Sequence, residues 1–213
     1  MRKTKKIAFL LIAFTLSVAT AAKAEMVEIS ITATVNYLMD SKNYLEGKVH
    51  LGDTITGSYK YESTTEDSSP SDPTQGNYWH YLAPAGISLS VGGFNFTTNP
   101  DIVNFLVSIG NNASGQDNYL VRSYQNLPLY DSVGVGGIAW ELDDYTASVF
   151  LSDALPATVP ILSQWQDNYI SIDGGGIGGS YGIHAEVTSA QLVPEPATIL
   201  LFAIGTMFLR KRL

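Results

Sequence analysis

Cysteine is absent from all 213 residues of the chain. Disulfide bonds, thiolate metal sites and cysteine nucleophiles are therefore excluded, and a packed core must hold the fold together. Histidine is scarce, and His50, His80 and His184 lie too far apart to show the spacing of a zinc site. Between residues 25 and 193, four basic residues stand against 19 carboxylates, which gives a net charge of −15. Such a surface repels nucleic acid and anionic lipid, so we expect no nucleic-acid partner.

The first 24 residues have the organisation of a secretory signal peptide. Basic residues within the first six positions precede an apolar run over residues 7–21, and Ala22 and Ala24 give the small-x-small cleavage pattern. The run is shorter than the ~20 apolar residues that a spanning helix needs, which argues against a retained anchor. We therefore predict cleavage after Ala24 and a mature chain that begins at Glu25.

The last twenty residues combine a proline pair, a short apolar run and a basic end. In order, these parts are Pro194, Glu195 and Pro196, then residues 197–209, then Arg210, Lys211 and Arg212. As a helix the apolar run would be about 20 Å long, short of the ~30 Å hydrocarbon core. The long stems of the terminal cations extend its reach to the head groups. We predict a short hydrophobic helix that anchors residues 194–213 in a membrane, with both basic chain ends in the cytoplasm and the body outside it.

This order of parts closely resembles the PEP-CTERM sorting signal of bacterial exported proteins, over about a tenth of the chain. In that family the tail holds the protein in the inner membrane until an exosortase-type protease removes it. The resemblance implies that protease and, for a time, the membrane as partners. It also implies a final location at the cell surface or outside a Gram-negative bacterium. Proteins with this tail tend to accompany exopolysaccharide production and biofilm formation, so extracellular polysaccharide is a further expected partner.

The body of the chain, residues 25–193, alternates apolar and polar residues as strands with one buried face do. Strands are predicted at residues 27–35, 54–61, 86–91, 102–109, 119–124, 133–140, 146–151 and 181–192. Turn residues separate them without helical periodicity, which indicates a single antiparallel β-sandwich, jelly-roll-like or barrel-like. We also predict a mobile polar surface loop over residues 62–76 and one helical turn within residues 156–165. The chain thus divides into a signal peptide at 1–24, a β domain and an anchor segment at 194–213.

Two glycine-rich patterns match functional motifs by spelling alone. Residues 174–179 fit G-x-G-x-x-G, and residues 178–182 fit G-x-S-x-G. The first motif binds a pyrophosphate at a helix N-terminus, and the second presents a nucleophile on a strand-to-helix turn. The residues that follow here alternate like a strand, so both patterns are interpreted as one glycine-rich hairpin loop.

Carboxylates offer two further chemical interpretations. Glu141 and Asp143 lie two residues apart, which in a strand puts them on one face about 7 Å apart, a separation that suits a glycoside hydrolase. In a chain with this many acids, such a pair also arises by chance on a solvated face. Aspartates in or beside predicted loops offer oxygen ligands for Ca²⁺, namely Asp143, Asp144, Asp153, Asp167 and Asp173, although no EF-hand pattern is present. We expect no cofactor, with Ca²⁺ as the alternative.

Aromatic residues give the strongest indication of a ligand. Tyr78, Trp79 and Tyr81 follow the polar loop, and exposed Tyr and Trp side chains stack well on sugar rings, although alternating aromatic residues in a β-sandwich more often pack in the core. We therefore predict a non-enzymatic surface or extracellular-matrix protein, with a carbohydrate-binding module and a secreted glycoside hydrolase as alternatives. A cleft that holds Glu141 and Asp143 would favour the enzyme, and an exposed strip of aromatic rings would favour sugar binding.

Overall fold

The computed structural model describes residues 26–194, and these form ten strands and one short 3-10 turn. The strands are β1 (Met26–Asp40), β2 (Thr54–Glu62), β3 (Gln75–His80), β4 (Gly86–Val91), β5 (Phe94–Thr97), β6 (Phe105–Ala113), β7 (Gln116–Ser123), β8 (Val133–Asp144), β9 (Asp167–Gly176) and β10 (Gly179–Leu192). The predicted signal peptide and the predicted C-terminal hydrophobic helix lie outside the described residues. Within the described part of the chain, no helix has the length and hydropathy required to cross a membrane.

All ten strands belong to one antiparallel sheet, in the order β3-β6-β7-β8-β9-β10-β1-β2-β4-β5. The sheet curls into a half-barrel. The prediction of an all-β antiparallel domain is therefore confirmed. The predicted sandwich would have two separate sheets, whereas here one continuous sheet curls so that its two halves face each other.

The core lies between the two halves of the curled sheet. Alternate residues of β1 point into it, as the period-two pattern predicts. Tyr59 on β2 and Tyr119 on β7 are both fully buried, and their hydroxyl oxygens lie 2.8 Å apart. The Trp140 ring meets both tyrosine rings edge-on, with centroids 5.7 Å and 5.8 Å away. Because β2 and β7 lie far apart in strand order, these contacts join the two halves of the sheet.

The segment predicted as a strand at residues 146–151 is a loop instead, and that prediction was wrong. Two buried carboxylates satisfy its backbone donors. Asp117 accepts hydrogen bonds from the backbone N–H groups of Val149 and Phe150 at 2.8 Å and 2.7 Å. Asp144 binds Thr146 and Ser148 in the same way, and the Thr146 hydroxyl holds the pKa of that carboxyl below its usual range. Because the N–H groups of residues 146–150 are already paired, the segment needs no strand partner.

Two other local predictions agree with the structure. The 3-10 turn at Leu162–Gln164 lies within the segment predicted to hold one helical turn. Residues 63–74 form a surface loop, as the polar composition indicates, and the Asp67 carboxylate accepts the backbone N–H of Asn77 at 2.8 Å. This bond attaches the loop to β3; its predicted mobility stays a prediction.

Both ends of the described chain lie together on neighbouring central strands. β1 and β10 pair with Ile29 opposite Leu192, and the Val193 N–H donates to the Glu28 carbonyl at 2.8 Å. The predicted signal peptide and the predicted anchor segment therefore join the domain at the same end of the sheet.

Candidate functional site

The three aromatic residues predicted to contact sugar divide between two faces of the sheet. Tyr78 is buried, and its hydroxyl donates to the Asp153 carbonyl at 2.8 Å. Trp79 and Tyr81 lie on the opposite, outer face, where their rings are stacked with centroids 6.2 Å apart and planes only 7° apart. Tyr81 is 63 % exposed. Alternation along β3 thus assigns Tyr78 to the core and presents the other two rings to solvent.

A third ring and a cation extend this surface, and sequence reasoning missed both. The Tyr124 ring lies 5.6 Å from the Trp79 ring, and the Arg122 guanidinium lies over Tyr124 at 4.9 Å. The register explains the grouping, because Leu106 on β6 pairs with Trp79 on one side and Arg122 on the other. We refer to Trp79, Tyr81, Tyr124 and Arg122 as the aromatic platform.

A cleft of about 660 Å³ opens beside the aromatic platform. Besides Trp79 and Tyr81, its lining includes the carboxylates of Glu62 and Glu66 and the imidazole of His80. Aromatic faces together with hydrogen-bonding groups are what a small polar ligand with apolar faces requires. We refer to this space as the platform cleft.

His80 is the most unusual group in the platform cleft. Its side chain is buried, its Nδ1 lies 3.2 Å from the Thr65 hydroxyl, and its Nε2 has no hydrogen-bond partner within residues 26–194. Burial lowers the pKa of His80 to about 4, against the opposing charge of Glu62. The ring is therefore neutral at pH 7, and its Nε2 is buried on the inner side of β3, beside the Tyr61 and Phe105 rings.

We expect His80 to make the domain less stable in mild acid. Because its folded pKa of about 4 lies below the unfolded value near 6.5, the unfolded chain binds more protons between these values. The contribution of His80 to the free energy of unfolding is complete above pH 6.5. It falls by about 2 kcal/mol as the pH drops to 4, after allowance for partial solvent screening. Urea unfolding at several pH values gives the free energy of unfolding as a function of pH. Between pH 4 and 6.5 this free energy should rise less steeply with pH in H80Q than in the wild type. H50Q, which alters a histidine whose side chain is 68 % exposed, should leave the slope unchanged; equal slopes in all three proteins would contradict the assignment.

Glu141 and Asp143 do lie on one face, as predicted, and Asn118 joins them. Its Nδ2 is 3.3 Å from Glu141 Oε1 and 2.8 Å from Asp143 Oδ1. The Tyr169 hydroxyl donates to the other Glu141 oxygen at 2.6 Å. Burial raises the pKa of Asp143. Neither carboxylate lines the platform cleft or the glycine groove described below.

The glycine-rich motifs and two of the candidate Ca²⁺ ligands have structural roles in the fold. The glycine-rich residues 174–179 end β9 and begin β10, and a strand follows them, which confirms the hairpin interpretation of both spelled motifs. Of the five aspartates considered for Ca²⁺, Asp144 secures the loop after β8 and Asp143 bonds to Asn118. In the described part of the chain, no three His, Asp or Glu side chains are placed to hold a metal ion.

A second open space, of about 840 Å³, lies over the glycines of the β9–β10 hairpin. Tyr37, Met39 and His184 form one side of this glycine groove, with the Tyr37 and His184 rings 5.1 Å apart. Asp173 also lines it. The groove lies toward the opposite end of β10 from Leu192, and sequence reasoning did not identify it.

Comparison with known proteins identifies the tail and nothing else. Residues 192–212 match the family model of the PEP-CTERM protein-sorting motif. The match includes Pro194, Glu195 and Pro196 together with Arg210, Lys211 and Arg212, so the resemblance seen in the sequence is confirmed. No curated protein and no solved structure matches the chain. The motif implies an exported protein that is anchored for a time in the membrane and processed by exosortase, a membrane protease.

Proposed function

We propose that this PEP-CTERM-sorted chain is a non-enzymatic surface or extracellular-matrix protein that an exosortase-type protease releases from the inner membrane. The observation that carries the proposal is the place of the motif, which begins at Leu192, where the last strand ends. The described residues share one sheet and one core, so removal of the tail takes away no strand. The released product is a folded domain, in keeping with a final location at the cell surface or outside the cell.

The aromatic platform favours carbohydrate binding as the activity of the released domain. Exposed Tyr81 and Arg122 and the half-buried rings of Trp79 and Tyr124 form one outer surface, and amphipathic rings of this kind stack on the apolar faces of sugars. Glu62 and Glu66 in the adjoining cleft offer hydrogen bonds to sugar hydroxyls. The net charge of −15 favours a neutral polysaccharide over an anionic one. Such binding would link the protein to the exopolysaccharide of a biofilm.

A glycoside hydrolase has less support. Both candidate carboxylates are engaged by Asn118, and Glu141 is also engaged by Tyr169. Both Glu141 oxygens and one Asp143 oxygen thus accept hydrogen bonds from protein donors, and neither carboxylate lines the platform cleft. A general acid and its partner need to reach a substrate from a shared cleft.

A glycan array with residues 25–193 tests the carbohydrate proposal. We expect neutral glycans to bind, and W79A and Y81A each to lose about 1 kcal/mol of binding free energy, roughly a fivefold weaker affinity. Y37A is the matched control, because it removes an exposed tyrosine from the glycine groove instead. Absence of any glycan ligand, or an equal loss in Y37A, would remove the platform as the binding surface.

A further inference from the structure

The tail leaves the domain with almost no linker. β10 ends at Leu192, and Val193 is still hydrogen-bonded to Glu28 near the start of β1. The apolar run begins at position 197, three residues after Pro194. From Val193 to position 197 the chain takes four residue steps, which span about 14 Å at most when fully extended. While the tail is in the membrane, this end of the sheet therefore lies within about 14 Å of the hydrocarbon edge.

The surface beside this exit is exposed and partly apolar. Met26, the first residue of β1, lines the platform cleft together with Tyr81 and Leu82. Tyr81 is 63 % exposed and Leu82 is 80 % exposed. Tryptophan and tyrosine rings suit the head-group region, where one part of the ring meets apolar chains and the other meets water. The chain exit and this surface thus lie at the same end of the domain.

We propose that in the uncut precursor the surface formed by Trp79, Tyr81 and Leu82 rests against the lipid interface of the membrane that holds the tail. The proposal rests on the anchoring part of the proposed function. The platform cleft then faces the membrane until the tail is removed, and processing exposes it. Glu62 and Glu66 in the same cleft favour zwitterionic lipid over anionic lipid.

Single cysteines test this orientation directly, because the chain has none of its own. L82C and I177C are a matched pair, since both replace an aliphatic residue that is at least 80 % exposed. Ile177 lies in the turn before β10, whose 14 residues span about 45 Å. The uncut precursor without the predicted signal peptide, residues 25–213, is labelled at either cysteine with an environment-sensitive dye and reconstituted into zwitterionic vesicles that contain brominated lipid. No protease is present, so lipid is the partner under test.

The L82C label should be quenched several-fold more strongly than the I177C label, and partial replacement by anionic lipid should weaken the difference. Insertion of a 15-residue Gly-Ser spacer after Val193 should abolish it, because the domain then moves freely above the bilayer. Y81C serves as a second probe on the same surface if L82C does not fold. Vesicle flotation reports on anchoring separately: chains that float with equal quenching at both ends overturn the orientation alone, and chains that do not float overturn the anchoring as well.

Discussion

Replacement of Pro194, Glu195 and Pro196 by three alanines is expected to block maturation while leaving membrane attachment intact. Proline removes backbone donors and restricts the residue before it, so we expect this pair to disfavour a helix ahead of the apolar run. An extended segment is open to a processing protease, and three alanines would favour a helix in its place. We expect uncut protein to accumulate in the inner membrane and the released form to fall to background. Mass spectrometry of the membrane and released fractions measures both.

A second substitution in the tail separates orientation from cleavage. Replacement of Arg210, Lys211 and Arg212 by serine should release full-length protein, because each cation otherwise costs about 2.5–3.5 kcal/mol to move through the bilayer centre. Uncut protein should therefore accumulate in the membrane fraction for the alanine variant and in the released fraction for the serine variant. If the alanine variant matures normally to the wild-type C-terminus, the tail acts as an ordinary anchor and the exosortase step is wrong.

Trp140→Ala is expected to cost the domain about 3–5 kcal/mol of unfolding free energy, the usual range for a buried tryptophan. The side chain is fully buried between Tyr59 and Tyr119, and its Nε1 donates to Asn168 Oδ1 at 3.0 Å. The substitution leaves a cavity between the two halves of the sheet and removes a donor from a partly buried amide. Against a typical total of 5–15 kcal/mol, this loss leaves a marginal fold.

Urea unfolding of residues 25–193 measures the effect, with Trp79→Ala as the matched control. Trp79 is only partly buried on the outer face, so its loss should cost about 1 kcal/mol or less. Equal costs at the two positions would mean that the halves of the sheet do not pack through Trp140.

Strands with a clear alternation of apolar and polar residues could be predicted from the sequence, because that pattern is local and does not depend on which strand pairs with which. β1, β2 and β4 alternate over most of their length; the prediction matches β4 at both ends and β2 to within one residue, but it ends β1 at Val35, five residues before the strand ends. β5 has only four residues and escaped notice. β9 was missed because it ends in Gly174, Gly175 and Gly176, which normally indicate a loop. Those glycines follow from tertiary packing: a Cβ at Gly174 would clash with the Gly134 carbonyl and the Tyr181 hydroxyl.

Only part of the candidate site could be predicted from the sequence, because some of its contacts depend on strand order. The sequence identified Trp79 and Tyr81 as candidate sugar contacts but predicted no strand there, because the polar run over residues 62–76 hides the start of β3 at Gln75. Their neighbour Tyr124 and the cation Arg122 come from another part of the chain, and the β3–β6–β7 register brings them together. His80 looked like one of three scattered histidines, and its burial depends on the Tyr61 and Phe105 rings packed near it. Strand order, which no local pattern specifies, decides each of these contacts.

The pairing of β1 with β10 also governs when the sheet can be completed. β1 is the first strand of the chain, yet the strand that pairs with it along most of its length is the last. Closing so long a loop is slow, and partly formed sheets expose edges that aggregate. The sorting motif begins where β10 ends, so we expect the tail to reach the membrane just as the missing strand becomes available. We therefore expect the final strand to insert while the chain is still tethered, with each nascent domain kept apart from its neighbours until its central pair of strands has formed.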